Sequence, residues 1–162
     1  MTSFSRCAAW RGHAYLALAA RLYLAWVFLA ACAHKIADPA AFAVDVATYG
    51  ILPLWGVNAV AHVLPWIEAF AAAMLILGLR VRAAALLVAG MMATFLVALS
   101  VALAKGLDMS CGCFASTGAA EDPISSLTLL RDGAWMALAL YVLILDRRPL
   151  GLDRILDRRR IP

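Results

Sequence analysis

Long apolar runs separated by short charged clusters set the organisation of this chain. The uninterrupted stretch AAALLVAGMMATFLVALSVALA lies between Arg82 and Lys105. At a rise of about 1.5 Å per residue, one helix of that length crosses about 30 Å of hydrocarbon. A second run, from about 58 to 79, carries a single internal charge, Glu68, and the first, from about 13 to 33, carries Arg21. The last, from about 126 to 145, carries Arg131 and Asp132 in its first turns. The pattern predicts an all-α polytopic membrane protein, a four-transmembrane-helix bundle followed by a basic tail over about 146–162.

Composition narrows the class further. Of the 162 residues 65% are apolar and 15% charged, whereas soluble domains carry about 45–50% and about 25%. Four spans and their connections are expected to take up these residues, with no separate soluble domain among them. The net charge of +4 is concentrated in the tail, where it suits anionic lipid at the inner leaflet and not a nucleic acid. The chain has no haem-attachment motif, phosphate loop, dinucleotide fingerprint or zinc spacing.

Positive charge in the short flanks sets the expected orientation. Arg6 and Arg11 precede the first run, Arg80 and Arg82 occupy the turn between the second and third, and six arginines follow the fourth. Both termini are therefore expected in the cytoplasm of a bacterial inner membrane, with the 34–57 and 105–125 connections facing the periplasm. The basic start and Leu29-Ala30-Ala31-Cys32 also resemble a lipoprotein leader. The apolar run is long for a signal peptide, and a retained first span with a small-residue packing face is preferred.

The charges that interrupt the spans are the informative positions, because ionisable groups in lipid are costly and usually face the bundle interior in pairs. Glu68 is expected about 5 Å into its span if the helix starts near Pro65, and about 15 Å in if it starts near Asn58. His34 and Lys35 end the first span on the same side, and Arg131 and Asp132 enter the fourth there. One ionisable layer under the outer surface is the expectation, with Glu68 paired to Arg131. The plainer alternatives are a structural clamp for the pair, snorkelling for His34 and Lys35, and a helix-start role for Asp132. Arg21 is expected to pair inside the bundle.

The second polar connection holds Met109-Ser110-Cys111-Gly112-Cys113-Phe114. Two thiols one residue apart on an oxidising face can exchange with disulfides or hold a soft metal ion. Their mutual disulfide closes a small, strained ring, easily reduced or passed on. Cys7 and Cys32 lie too far apart on one helix to form a second pair, which removes a transmembrane dithiol relay. Cys32 stands at the outer end of the first span and is a candidate resolving thiol. Electrons would otherwise pass to a soluble thioredoxin-like partner or to a membrane quinone.

Several elements occur in order: Ala33-His34-Lys35-Ile36, Pro39, Phe42, Tyr49, Leu52-Pro53, Leu64-Pro65-Trp66-Ile67-Glu68, Leu77-Gly78, Cys111-Gly112-Cys113-Phe114 and Leu130-Arg131-Asp132. Together they resemble the methylamine utilisation protein MauE family, relatives of the DoxX-like four-span membrane proteins, over roughly 20–145. The Cys-x-Cys-Phe and Pro-x-x-Glu elements are the specific parts. Ala115 departs from the glycine usual in such proteins. The resemblance implies a role in maturing or exporting disulfide-rich periplasmic proteins with a thioredoxin-like partner.

The leading expectation is a membrane thiol-disulfide protein with Cys111 and Cys113 as exchanging residues and Cys32, Glu68, Arg131, Asp132, His34 and Lys35 in support. Soft-metal handling by Met109, Cys111 and Cys113 is one alternative. An assembly subunit whose cysteines only brace the loop is another.

Overall fold

The computed structural model describes residues 13–107, 124–146 and 151–153. Helix α1 spans His13–Ala37, α2 Pro39–Thr48, α3 Leu54–Leu77, α4 Val81–Ala104 and α5 Ser126–Leu145. No strand occurs among the described residues. Four of these helices, all but α2, are long and apolar enough to cross a membrane.

Two helix ends differ from the sequence expectation in ways that matter for the site. Helix α1 runs four residues past Ala33, so His34 and Lys35 lie in its last turn and not in a connection. Helix α3 begins at Leu54, with Pro65 inside it. Proline removes one backbone hydrogen bond from a helix interior, and within a membrane bundle neighbouring elements make that tolerable. Glu68 therefore lies about 21 Å along α3 from its first residue. That is deeper than either start position considered from the sequence.

The short helix α2 was not anticipated, although its start signal is in the sequence. Asp38 caps it, accepting from the Ala41 N–H at 2.9 Å, and Pro39 occupies the first turn, where a missing N–H costs nothing. The buried side chain of α2 is Phe42.

Helix α1 packs most extensively on α3, and α4 on α5. The buried stripe of α1 includes Ala17, Arg21, Leu24, Phe28, Cys32 and Lys35, a spacing of three and four that keeps them on one face. Helix α3 answers with Val57, Ala61, Pro65, Glu68, Ala72 and Leu75. In lipid, apolar contact alone gives helices little drive to associate, and small residues allow the close approach that does. Ala25, Ala71, Ala72, Ala84, Ala85 and Ala139 fill this role in the central cluster. Along α4 the buried positions form two groups, Val81 to Ala89 and Leu99 to Ala102, and none falls between them. That bare middle lies along a cleft.

At the other end of the bundle, the chain after α5 returns to the turn between α3 and α4. Gly78 has φ 65° and Arg80 φ 45°, and the Asp153 carboxylate accepts from the Arg80 and Val81 N–H groups at 2.9 and 3.2 Å. Asp153 thus caps α4 from a distant part of the chain. Gly151 permits this approach, since a Cβ there would sit 2.6 Å from the Gly78 Cα. Asp153→Ala is expected to lower stability by about 1 kcal/mol through loss of the cap, read by thermal unfolding in detergent. Gly151→Ala should do at least as much damage, and two unchanged melting curves would show that the return segment contributes nothing.

Candidate functional site

A buried ion pair joins the last turn of α1 to α3. The Lys35 ammonium donates to both carboxylate oxygens of Glu68, at 2.8 and 3.1 Å, and sits 4.9 Å from the centroid of the Phe42 ring. Lys35 is 5% exposed and Glu68 7%. Lys35 does not snorkel, because the continuation of α1 keeps it on the same inward stripe as Phe28 and Cys32. Isolated, either charge would be costly in this environment; together they neutralise one another.

The expected Glu68 to Arg131 pair is not formed. Arg131 Nε instead lies 3.1 Å from Oδ1 of its neighbour Asp132, and its guanidinium stacks over the Trp135 ring one turn on, 5.0 Å from the centroid. The physical reason is the helix pairing: α3 lies against α1, whose Lys35 reaches Glu68 first, while α5 packs chiefly on α4. Asp132 is buried at 1% exposure. It stands well inside α5, whose start is capped by Ser125 through the Thr128 N–H at 3.3 Å, so Asp132 is not the cap.

His34 is partly buried beside Lys35. Asp45 on α2 faces the same region, and burial pushes its carboxyl above the usual carboxylate range, against the opposing influence of His34 and then Lys35. A raised acid binds its proton more readily folded than unfolded, so the penalty for holding it charged appears as pH rises. Asp45→Asn is therefore expected to melt higher than the parent at about pH 8, with the difference closing towards about pH 4. A gap that widens on acidification would contradict this assignment.

Cys32 is buried at 3% exposure, and its thiol donates to the Leu29 carbonyl at 3.3 Å. It stands on the inward stripe of α1, one turn before Lys35. Arg21 is paired within the bundle, 3.7 Å from the Asp146 carboxylate at the end of α5. Asp146 is a partner that the sequence reading missed; the cue is a lone acid directly after the last span. Cys111, Cys113 and Met109 lie outside the described residues. The segment that carries them departs at Leu107 and returns at Ile124, and both residues pack on one cluster with Tyr49, Phe95, Ala98 and Ala102. Among the described residues, no three His, Cys, Asp or Glu side chains converge as a metal site.

Between these elements lies a cleft of about 800 Å³, whose wall includes Lys35, Asp45, Glu68 and Asp132 among mostly apolar side chains. Tyr49, Phe95 and Ala98, from the cluster that anchors the cysteine segment, line it as well. The cleft, the ion pair and the anchoring cluster are thus contiguous.

Comparison with known proteins follows the same lines. A family model described as methylamine utilisation protein MauE matches residues 13–145. A curated protein of Paracoccus denitrificans named methylamine utilization protein MauE is 33% identical to the chain over 125 residues. The match covers 76% of this chain and 66% of that protein, just under two thirds of its length. No solved structure matches the chain.

Proposed function

Because the chain belongs to the methylamine utilisation protein MauE family, we propose that it serves methylamine utilisation as a membrane thiol-disulfide exchange protein for periplasmic substrates. Cys111 and Cys113 are the exchanging pair, and the immediate partner is a thioredoxin-like protein. The observation that carries this reading is the Cys-Gly-Cys sequence held between two span ends, Leu107 and Ile124, which meet on one apolar cluster. Those two span ends lie beside the charged cleft, whose wall shares Tyr49, Phe95 and Ala98 with their cluster.

The chemistry follows from the thiol pair. One cysteine, as thiolate, attacks a partner disulfide, forming a mixed disulfide and releasing the partner's other sulfur as a thiolate. The second cysteine then attacks its neighbour's sulfur, closing the Cys111/Cys113 disulfide and releasing the partner reduced. Run in reverse, the same steps deliver a disulfide to the partner. The strain of so small a ring favours the delivering direction. The excess of Lys and Arg at the termini and in the turn between α3 and α4 supports a periplasmic dithiol in an inner membrane.

Single replacements test the proposal. Cys113→Ser or Cys111→Ser should trap a reductant-sensitive adduct with a periplasmic protein in cells, and an impermeant maleimide should label the reduced parent from outside. Neither an adduct from either variant nor labelling in intact cells would sink the reading.

A further inference from the structure

The central cleft has the volume of a small-ligand site, about 800 Å³ against about 300–1,000 Å³ for such pockets. Its length runs along α4, where Leu87, Gly90, Met91, Thr94 and Ala98 recur at helical spacing on one wall. From Leu87 to Ala98 this apolar strip is about 16 Å long. Leu86 and Leu87 line the cleft and are also exposed on the outside of the bundle. It therefore opens laterally, on the face from which a lipid-soluble molecule arrives.

The composition of the wall decides what that molecule is. A lipid acyl chain requires no ionisable neighbour, and each charge placed in hydrocarbon costs several kcal/mol. Yet Lys35, Asp45, Glu68 and Asp132 all line this one cleft. Lys35 directs two donors at Glu68, and an ammonium has three. Trp135, held by its indole N–H donating to the Tyr23 hydroxyl at 3.3 Å, adds a flat aromatic wall. An acceptor-bearing ring that exchanges protons, joined to a long apolar tail, satisfies every part of this lining.

We propose that the cleft binds a lipid-soluble quinone, its carbonyl-bearing ring among Lys35, Glu68 and Asp132 and its prenyl tail along α4. This deepens the thiol-disulfide reading, on which its redox half rests, by naming the terminal oxidant. Cys111 and Cys113 give up two electrons and two protons and form one S–S bond. One quinone takes up two electrons and two protons and becomes a quinol. Asp45, in the same wall and outside the ion pairs of Glu68 and Asp132, is the carboxyl placed to exchange protons with the ring oxygens, and burial holds its proton more firmly than usual.

Binding of decylubiquinone to the purified full-length chain in nanodiscs tests the site, with three variants. Gly90→Phe fills the cleft from a position where an added Cβ meets nothing within 4 Å. It should weaken binding at least about tenfold while leaving the melting temperature of the ligand-free protein within error. Val97→Phe, on an exposed part of α4 that does not line the cleft, should bind like the parent. Cys111→Ser/Cys113→Ser should also bind like the parent and lose thiol-dependent quinone reduction. Equal affinity in Gly90→Phe and Val97→Phe, or displacement of the quinone by an equal concentration of oleate, overturns the proposal and leaves partitioning or an acyl chain as the explanation. Cleft-dependent binding without any reduction by the parent supports the site and counts against the thiol reading instead. Trapped partner adducts without quinone binding overturn the site alone.

Discussion

Lys35→Met alone is expected to destabilise the protein by about 3–5 kcal/mol, the range found when one partner of a buried ion pair is removed. The Glu68 carboxylate would be left buried at 7% exposure without the ammonium that donates to both of its oxygens. Glu68→Leu should cost a similar amount, for the converse reason. The double variant Lys35→Met/Glu68→Leu is expected to recover most of the loss, since two apolar side chains of similar volume replace a pair whose desolvation largely offsets its attraction. Thermal unfolding of all four proteins in one detergent gives the comparison. If the double variant is as unstable as the sum of the singles, the pair is not what holds this layer together. For a protein whose total stability is typically about 5–15 kcal/mol, the single variants should also accumulate poorly. A double variant that is stable but inactive would assign the pair to function, and one that is stable and active would make it a clamp.

The second large effect concerns the cysteines. Cys111→Ser/Cys113→Ser is expected to abolish methylamine-dependent growth in a host that relies on this protein, while its abundance in the membrane stays within about twofold of the parent. The serine pair retains size and polarity but cannot form a disulfide or a thiolate at neutral pH. Cys32→Ser should retain growth, because the Cys32 thiol is buried and bonded to the Leu29 carbonyl. Growth of the double serine variant at the parental rate would favour an assembly role in which the cysteines do no chemistry. A growth defect equal in Cys32→Ser would bring that thiol back as a resolving partner.

Much of the architecture was legible before the structure. The stretch from Arg82 to Lys105 and the apolar run from Ser126 to Leu145 correspond closely to α4 and α5, because a membrane demands about 20 apolar residues per span and few other constraints leave so plain a mark. The positions that proved harder to read are those where helix continuation competes with polarity. His34 and Lys35 look like a polar boundary, yet α1 runs on to Ala37. Pro65 looks like a helix start, yet α3 passes through it. In both cases neighbouring helices shield the backbone, which lets a helix continue where an isolated one would end. Helix α2 could have been found from Asp38 and Pro39, an N-cap and first-turn pair placed directly after a span.

The pairing of charges was the least legible part. Periodicity does place Arg21, Phe28, Cys32 and Lys35 on one stripe of α1, a signal that weighs against snorkelling for Lys35 once α1 is known to continue to Ala37. It says nothing about which helix lies opposite. Glu68 had two cations of suitable depth to choose from, and the choice went to Lys35 because α1 packs on α3, whereas Arg131 found Asp132 and Trp135 on its own helix. Likewise, no pattern in the turn between α3 and α4 announces that Asp153 will cap it, since that contact joins parts of the chain more than seventy positions apart.

The sequence by itself determined that this is a four-span membrane protein, that ionisable residues interrupt three of its spans, and that two thiols stand one residue apart in the connection before the last. Those properties follow from the length and polarity of contiguous segments, which local chemistry and the thickness of a bilayer are sufficient to set. Only the tertiary structure decided that Lys35 and Glu68 neutralise each other, that the bare middle of α4 borders a cleft, and that the ends of the cysteine segment close beside it. Each of these depends on which helix faces which, and that is settled by close packing of small residues across the bundle, a property of pairs of segments that neither segment carries alone.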